Sequence, residues 1–136
     1  MEKGEICIIV GASGAGKTTL LNILGGMDSL SSGEVWLDGK NIAGYSEKEL
    51  TTYRRYDIGF VFQFYNLIPN LTALENVELP LIYRGVGKKE RRELAEAALE
   101  KVGLGQRMSH KPSEMSGGQQ QRVAIARAIA QAPPVI

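Results

Sequence analysis

Continuous apolar runs at two places along the chain predict strands that are buried on both faces. Ile6–Val10 is the first run and Ile58–Phe62 is the second. Such runs are typical of a parallel sheet, because helices cover both faces and leave few polar positions on the strands. Polar and apolar residues alternate over Glu34–Leu37, and the turn signal Asp38-Gly39 follows, so a shorter strand is expected to end there. Val135-Ile136 begins a further apolar strand.

Helices are predicted between these strands by capping patterns and by apolar residues at helical spacing. Ser46 with Glu49, and Thr72 with Glu75, match the capping box that starts many helices. Pro80 lacks the N–H that a helix interior needs and is expected to interrupt the second of these helices. The predicted helices run from Lys17 to Gly25, from Ser46 to about Arg55, from Thr72 through Val77 and from Gly117 to about Gln131, and one more carries Leu94, Ala98 and Val102 on one face.

Composition changes this picture little. A chain of 136 residues suits one domain, and 43% hydrophobic and 23% charged residues are ordinary for a globular protein. The net charge of +1 gives no reason to expect nucleic acid, and the basic run Lys88–Arg92 is interpreted as a solvated helix face. The single cysteine, Cys7, allows no internal disulfide, and no apolar run approaches the roughly 18 residues that span a bilayer. We expect a cytoplasmic protein whose membrane role, if any, comes through a partner.

Gly11-Ala-Ser-Gly-Ala-Gly-Lys-Thr18 follows the first apolar run and opens a helix, which is the context of a phosphate-binding loop. Glycines let such a loop wrap around phosphates, and the helix start presents unpaired N–H groups to them. Lys17 is expected to reach the β- and γ-phosphates of a nucleotide, and the Thr18 hydroxyl to bind Mg²⁺. The alternative is a plain glycine-rich turn. The predicted nucleotide contacts are Gly11, Ser13, Gly14, Ala15, Gly16, Lys17, Thr18 and Thr19.

Ser116-Gly-Gly-Gln119 stands where another helix is predicted to start. Serine and glutamine at this spacing match a capping box. An ordinary cap would not place Gly117 and Gly118 in the first turn, where each glycine costs about 1 kcal/mol relative to alanine. Bare backbone at a helix start suits close approach of an anion. Both interpretations stay open, and the same residues can serve both roles.

The run Met115–Ala128 around this motif resembles the signature of the ATP-binding-cassette (ABC) family of ATPases, with Met115 where the family usually has leucine. The resemblance implies an α/β fold, with a P-loop core of mostly parallel strands and an inserted helical subdomain, here incomplete. It implies that residues 1–63 and 112–136 form the core with the signature helix, and 64–111 the subdomain. It also implies that Ser116, Gly117, Gly118 and Gln119 contact ATP held by a second ATPase subunit, in a head-to-tail dimer.

Gln63 follows the second apolar run, at the position of the family's Q-loop. From the residues alone it is only a polar side chain at the end of a strand. The resemblance implies that it contacts Mg²⁺ or the attacking water and senses an integral membrane transport subunit. The catalytic assignments are thus Lys17 and Gln63, the metal ligands Thr18 and Gln63, and the cofactors ATP and Mg²⁺. His110, which precedes the signature, is interpreted as a structural or surface residue.

The stretches Gly59–Pro69 and Glu75–Leu81 resemble one subgroup of the family, the ATPases of lipoprotein-releasing and macrolide-export transporters. That likeness implies an ATP-binding subunit on the inner face of the cell membrane, driving export or release through its membrane partner. Aromatic and aliphatic residues after Gln63 are either core or a docking groove for a cytoplasmic helix of that partner. They are Phe64, Tyr65, Leu67 and Ile68.

Two carboxylates that the family places after the strand beginning at Val135 are not among these residues, and the chain opens directly before its P-loop strand. We therefore expect a partial cassette with negligible ATP turnover of its own, since phosphoryl transfer depends on positioned charges. Base selectivity should be poor without an aromatic residue before the P-loop. A nucleotide-binding module without turnover, and a soluble ABC-type ATPase outside transport, are the alternatives. A GTPase or small-molecule kinase would leave Ser116–Gln119 unexplained.

Overall fold

The computed structural model describes residues 2–136 and divides them into two units, the first ending at Thr51 and the second being Thr52–Ile136. No helix among those residues combines the length and apolar character needed to cross a bilayer. The elements are α1 (Lys17–Leu24), β1 (Trp36–Leu37), β2 (Lys40–Asn41), α2 (Glu47–Tyr56), α3 (Ala73–Tyr83), α4 (Lys88–Lys101) and α5 (Gly117–Ile129), with a 3-10 turn at Pro112–Glu114 before α5.

The first unit contains a small antiparallel hairpin. Trp36 of β1 lies opposite Asn41 of β2. Asp38 and Gly39 connect the strands with φ of 46° and 74°, the left-handed pair of a tight hairpin turn that Asp-Gly favours. The predicted strand ending in a turn is confirmed, although it is two residues long and not four. The capping box of Ser46 and Glu49 is also formed, and α2 follows it.

The prediction that Ile6–Val10 forms a buried strand is wrong for the structure described here. Ile6, Ile8 and Val10 are 88%, 78% and 84% exposed. The segment is not a strand, and none of its backbone groups is hydrogen-bonded to another of the residues 2–136. An apolar run shows which side chains gain from burial, but burial on both faces also needs neighbouring strands and helices. The first unit supplies none beside this segment, so the Cys7 thiol is free and exposed as well.

The second unit is built on three helices, α3, α4 and α5, each packed against the other two. The buried stripe of α4 is Ala95, Ala98 and Leu99, whereas Leu94 is 40% exposed. The predicted face of this helix was therefore wrong at Leu94, because positions three and four apart share a stripe and residue 95 matches that spacing better. The core consists of Ala73, Leu74, Val77, Leu81, Ala95, Ala98, Leu99, Leu104, Met115, Val123, Ala126 and Ala130.

Helix α3 begins as predicted but does not stop at Pro80. The Thr72 N–H donates to Glu75 Oε2 at 2.8 Å, and the Glu75 N–H donates to Thr72 Oγ1 at 3.2 Å, which completes the capping box. The helix continues through Pro80 to Tyr83, so the predicted interruption is wrong. Burial of Leu81 in the core of the second unit gives this last turn a packing gain that offsets the missing proline N–H.

Strand pairing in the second unit is limited to one parallel bridge between Ile58 and Val135. The Gly59 N–H donates to the Val135 carbonyl oxygen at 2.8 Å. A side chain at Gly59 would bring its Cβ within 2.8 Å of Pro133 Cγ, so this close approach requires glycine. The predicted strands Ile58–Phe62 and Val135-Ile136 are thus confirmed only at the bridge, and the mostly parallel sheet is not formed by residues 2–136. Helix α5 ends at Ile129, before Gln131.

Candidate functional site

The glycine-rich loop before α1 has the backbone that its sequence predicts. Gly14 and Gly16 have φ of 79° and 84°, in the left-handed region that glycine adopts without strain. A side chain at Gly11 would place its Cβ 3.2 Å from Ala15 Cβ, a tighter contact than most side chains make. Gly16 is the N-cap of α1 and offers no capping side chain. The loop therefore delivers bare backbone to the start of a helix.

Several N–H groups of this loop are available to a ligand. The first bond inside the helix runs from the Leu20 N–H to the Gly16 carbonyl at 2.9 Å. The N–H groups of Gly14, Gly16, Lys17 and Thr18 find no acceptor among residues 2–136. Unpaired donors at a helix start carry the positive end of its dipole, and together they suit an anion such as a phosphate.

The Lys17 ammonium lies against the same loop. Its Nζ donates to the carbonyl oxygens of Gly11 at 2.7 Å and Ala12 at 2.6 Å. The positive charge is thus held at the loop and not extended into solvent, one residue from Thr18, which is exposed. Ser13, Ala15 and Thr19, the other predicted contacts, are also exposed and lie in the same loop and first helical turn.

The sequence predicted that Gln63 ends a strand. In the structure it lies in a tight turn of the second unit instead. The Tyr65 N–H donates to the Phe62 carbonyl at 3.0 Å, which closes the turn around Gln63 and Phe64. Gln63 is exposed. The turn leads into Tyr65 and Asn66, which have left-handed φ angles of 63° and 48° although neither is glycine.

Ser116 caps α5 as predicted. Its Oγ accepts from the Gln119 N–H at 3.2 Å, and Gln119 Oε1 accepts from the Ser116 N–H at 3.0 Å. Gly117 and Gly118 are exposed, and neither has a left-handed φ. A Cβ at Gly118 would meet no atom within 4 Å. The cap accounts for Ser116 and Gln119, whereas neither backbone angle nor packing accounts for Gly118.

Three residues of the second unit for which the sequence predicts no role have structural roles near these motifs. Arg127 and Arg84 donate to backbone carbonyls of distant segments, and the fully buried Asn76 bonds to the chain between Ile68 and Thr72. Burial lowers the pKa of both guanidinium groups, which stay charged. Polar residues between buried neighbours on a helix face were the signal available in the sequence, as Arg127 stands between Ala126 and Ala128.

His110 fits a structural role, as predicted. Its carbonyl oxygen accepts from the Ala73 N–H at 2.8 Å, and its Nε2 lies 3.3 Å from Arg107 Nη1. No group of three histidine, cysteine or acidic side chains within residues 2–136 is arranged to hold a metal ion.

Residues 1–136 match a family model described as "ABC transporter". The chain belongs to this family. It is 57% identical over 136 residues to the ABC transporter ATP-binding protein YknY of Bacillus subtilis, covering 59% of that protein. It is 54% identical over 133 residues to the lipoprotein-releasing system ATP-binding protein LolD of Aquifex aeolicus, and covers 59% of it. The predicted likeness to lipoprotein-releasing ATPases is therefore confirmed, and the chain spans about three fifths of the length of these relatives.

Solved structures agree with the family on the fold. A dimeric, post-hydrolysis structure of the ATP-binding cassette MJ0796 bound to ADP and Pi matches with a TM-score of 0.84 at 52% identity. The match covers 91% of this chain and 56% of that one. A second dimeric structure of MJ0796 matches equally well, at 51% identity. The predicted P-loop fold of the ABC ATPases is thus confirmed, although residues 2–136 do not form its sheet.

Proposed function

We propose that this chain binds Mg·ATP through its glycine-rich loop and serves as the ATP-binding part of an ABC transporter. The unpaired N–H groups at the start of α1, beside the Lys17 ammonium, carry this proposal. A helix start of this kind attracts a phosphate through both hydrogen bonds and charge. Glycine at positions 11, 14 and 16 keeps the surrounding backbone free of side chains that would hold a phosphate away.

Each of the loop residues then makes a different contact with the nucleotide. Lys17 Nζ would exchange its two carbonyl partners for oxygens of the β- and γ-phosphates, a stronger pairing because it joins opposite charges. The exposed Thr18 hydroxyl supplies a hard oxygen ligand of the type that Mg²⁺ prefers. Gln63 would contact Mg²⁺ or orient the attacking water. Bound Mg²⁺ neutralises the charge that develops on the phosphates during hydrolysis.

The start of α5 supports a second nucleotide contact, made to ATP held by another copy of the subunit. Ser116 uses its oxygen as the cap acceptor, which leaves its hydroxyl hydrogen to donate to a phosphate. The exposed Gly117 and Gly118 let a phosphate approach the backbone of this helix start closely. Gln119 completes the cap and so holds the serine in place. The head-to-tail dimer proposed for this contact agrees with the dimeric cassettes among the structural relatives.

Two exposed aromatic residues of the second unit are candidates for contact with a membrane partner. Phe64 is 81% exposed, directly after Gln63, and Tyr83 near the end of α3 is 68% exposed. A contiguous exposed apolar patch marks a contact surface, whereas apolar side chains exposed singly are normal. We propose that these residues contact a cytoplasmic helix of an integral membrane transport subunit, which would place the ATPase at the inner face of the membrane. The cargo would be chosen by that partner.

Hydrolysis also needs a second metal ligand and a group that orients the attacking water, and the family provides both with carboxylates. No three acidic, histidine or cysteine side chains in residues 2–136 come together where they could hold a metal ion. We therefore propose that the 136-residue chain binds ATP but turns it over negligibly, because phosphoryl transfer depends on a shared metal ligand and an oriented water.

ATP binding to the purified protein tests the central proposal. Lys17→Ala removes the charge at the loop and is expected to weaken Mg·ATP binding at least tenfold, as measured by calorimetry. Lys40→Ala is the matched control, because Lys40 is an exposed lysine of the same unit, in β2. GTP is expected to bind within a few fold of ATP. Equal ATP affinity of Lys17→Ala and the unchanged protein would reject the proposed site.

A further inference from the structure

Arg127 connects the helix of the signature motif to the turn that carries Gln63. It lies in the last turn of α5, and its Nη1 and Nη2 donate to the carbonyl oxygens of Asn66 and Tyr65, each at 2.7 Å. The two contacts join residues 61 and 62 positions apart in the sequence. A forked guanidinium can hold two adjacent carbonyls at once, which a lysine ammonium cannot do with the same geometry.

The segment that Arg127 holds has a backbone that needs support. Tyr65 and Asn66 both have left-handed φ, which asparagine tolerates but tyrosine disfavours. Two hydrogen bonds inside the segment help: the Tyr65 N–H donates to the Phe62 carbonyl, and the Asn66 N–H donates to the Phe64 carbonyl at 2.7 Å. Strained backbone persists where its surroundings fix it, and here the outside support is Arg127.

Tyr65 also reaches the opposite end of α5. A Cβ on Gly117, at the helix start, would lie 3.7 Å from Tyr65 Oη. The carbonyl of Tyr65 is bonded to Arg127 near the end of the helix, while its hydroxyl lies beside the signature motif. Tyr65 is therefore close to α5 at two points, Arg127 and Gly117, so helix and turn are expected to move together.

No carboxylate among residues 2–136 forms an ion pair with Arg127. Its half-buried charge is compensated by the two carbonyl oxygens, and burial lowers its pKa without neutralising it. A half-buried cation that bonds to two backbone carbonyls of one turn indicates that it fixes the position of that turn.

We propose that Arg127 is a positioning residue that fixes Gln63 relative to the signature motif. When the start of α5 contacts the nucleotide of a second subunit, the helix shifts. The Arg127 and Tyr65 contacts transmit this shift to the Gln63 turn. The inference rests on the proposed function, since it gives Gln63 and Ser116 their roles, but the bond between Arg127 and the turn exists without nucleotide.

Hydrogen exchange without nucleotide tests the mechanical part of the inference. Arg127→Lys keeps the charge and loses the fork, so the amides of residues 62–67 should exchange at least tenfold faster. Arg92→Lys is the matched control, because Arg92 is an exposed helical arginine whose partner is Glu96. Unchanged exchange in Arg127→Lys would overturn the inference, whatever happens to ATP binding.

Steady-state kinetics of the assembled transporter test the functional part. Arg127→Lys should lower kcat at least tenfold and change KM for ATP less than threefold, because the P-loop is untouched. Combined with Gln63→Ala it should add little, since two residues that act as a unit are not additive. Additive losses, or a normal kcat, would overturn the role of Arg127. If Gln63→Ala alone were harmless, the proposed function would fail instead.

Should Arg127→Lys fail to fold, Arg127→Gln replaces it in both experiments. Glutamine keeps one side-chain amide donor, removes the half-buried charge, and leaves at most one of the two carbonyls bonded. Faster exchange of residues 62–67 and a lower kcat are again expected, and the absence of both would reject the inference.

Discussion

The guanidinium of Arg84 lies over the ring of Tyr56, 5.4 Å from its centroid, and Nη2 donates to the Tyr56 carbonyl at 2.9 Å. The same side chain donates to the carbonyls of Arg55 and Gln131, each at 2.6 Å. Arg55 and Tyr56 end α2, and Gln131 follows the end of α5. One cation thus serves the carbonyl ends of two helices, where both unpaired acceptors and the helix dipole favour positive charge.

Replacing Arg84 should therefore destabilise the second unit more than an exposed arginine would. We expect Arg84→Lys to lower the free energy of unfolding by about 1–3 kcal/mol, because an ammonium cannot bridge three carbonyls and stack on the ring. Urea denaturation followed by circular dichroism measures the change. Arg92→Lys should stay within about 0.5 kcal/mol. Equal stability of the two variants would contradict the role given to Arg84.

Acid should weaken the start of α3 through Glu75. The backbone N–H of Thr72, and then its hydroxyl, hold the pKa of this carboxyl below its usual value. A carboxyl with a lowered folded pKa contributes stability above the unfolded pKa and loses it as pH falls through the folded pKa. Glu75→Gln keeps the capping box without a titrating group. Its unfolding free energy should fall less between pH 5 and pH 3 than that of the unchanged protein.

Gln119 provides an internal comparison for that experiment. The caps of α3 and α5 have the same geometry, but Gln119 cannot titrate. Gln119→Glu should therefore add an acid-sensitive contribution that the unchanged protein lacks at α5. If neither substitution altered the slope of stability against pH, the caps would not be linked to proton binding.

Gly118→Ala should separate stability from function. A Cβ there meets nothing within 4 Å, and alanine is favoured over glycine in a helix by up to about 1 kcal/mol. We expect a slightly more stable protein that loses ATP-dependent dimerisation, measured by light scattering after size exclusion. Gly87→Ala, at the start of α4, is the control and should dimerise normally. A Gly118→Ala protein that still dimerised with ATP would count against a phosphate contact at α5.

Asn76 should be among the most sensitive positions of the second unit. Its Oδ1 accepts from the Ile68 N–H at 2.8 Å, and its Nδ2 donates to the carbonyls of Ile68, Leu71 and Thr72. Asn76→Ala leaves these backbone groups without a partner and should cost about 2–4 kcal/mol of unfolding free energy. Thermal denaturation would show it. Tolerance of alanine at position 76 would mean that water replaces the amide.

Local chemistry could be predicted from the sequence, whereas pairing and long-range bonds could not. The three capping boxes and the Asp38-Gly39 turn follow from contacts three residues apart, and the P-loop helix starts with a bond between residues four apart. The strand predicted at Ile6–Val10 does not form, because a strand needs partner strands that its own composition does not supply. Arg84 and Arg127 could not be assigned, since their carbonyl partners lie 28 to 62 positions away and any backbone offers the same acceptor.

The backbone N–H and C=O groups of Ile6–Val10 have no partner among residues 2–136, so they can form strand-to-strand hydrogen bonds with a second copy of the chain. Association by this route would require no nucleotide, would be indifferent to Lys17 and Gly118, and would grow with protein concentration because two chains make each contact. Pairing of this segment would therefore give oligomers that dissociate on dilution in the absence of ATP. Only the species that appear on adding ATP at fixed protein concentration would count toward the nucleotide-linked dimer.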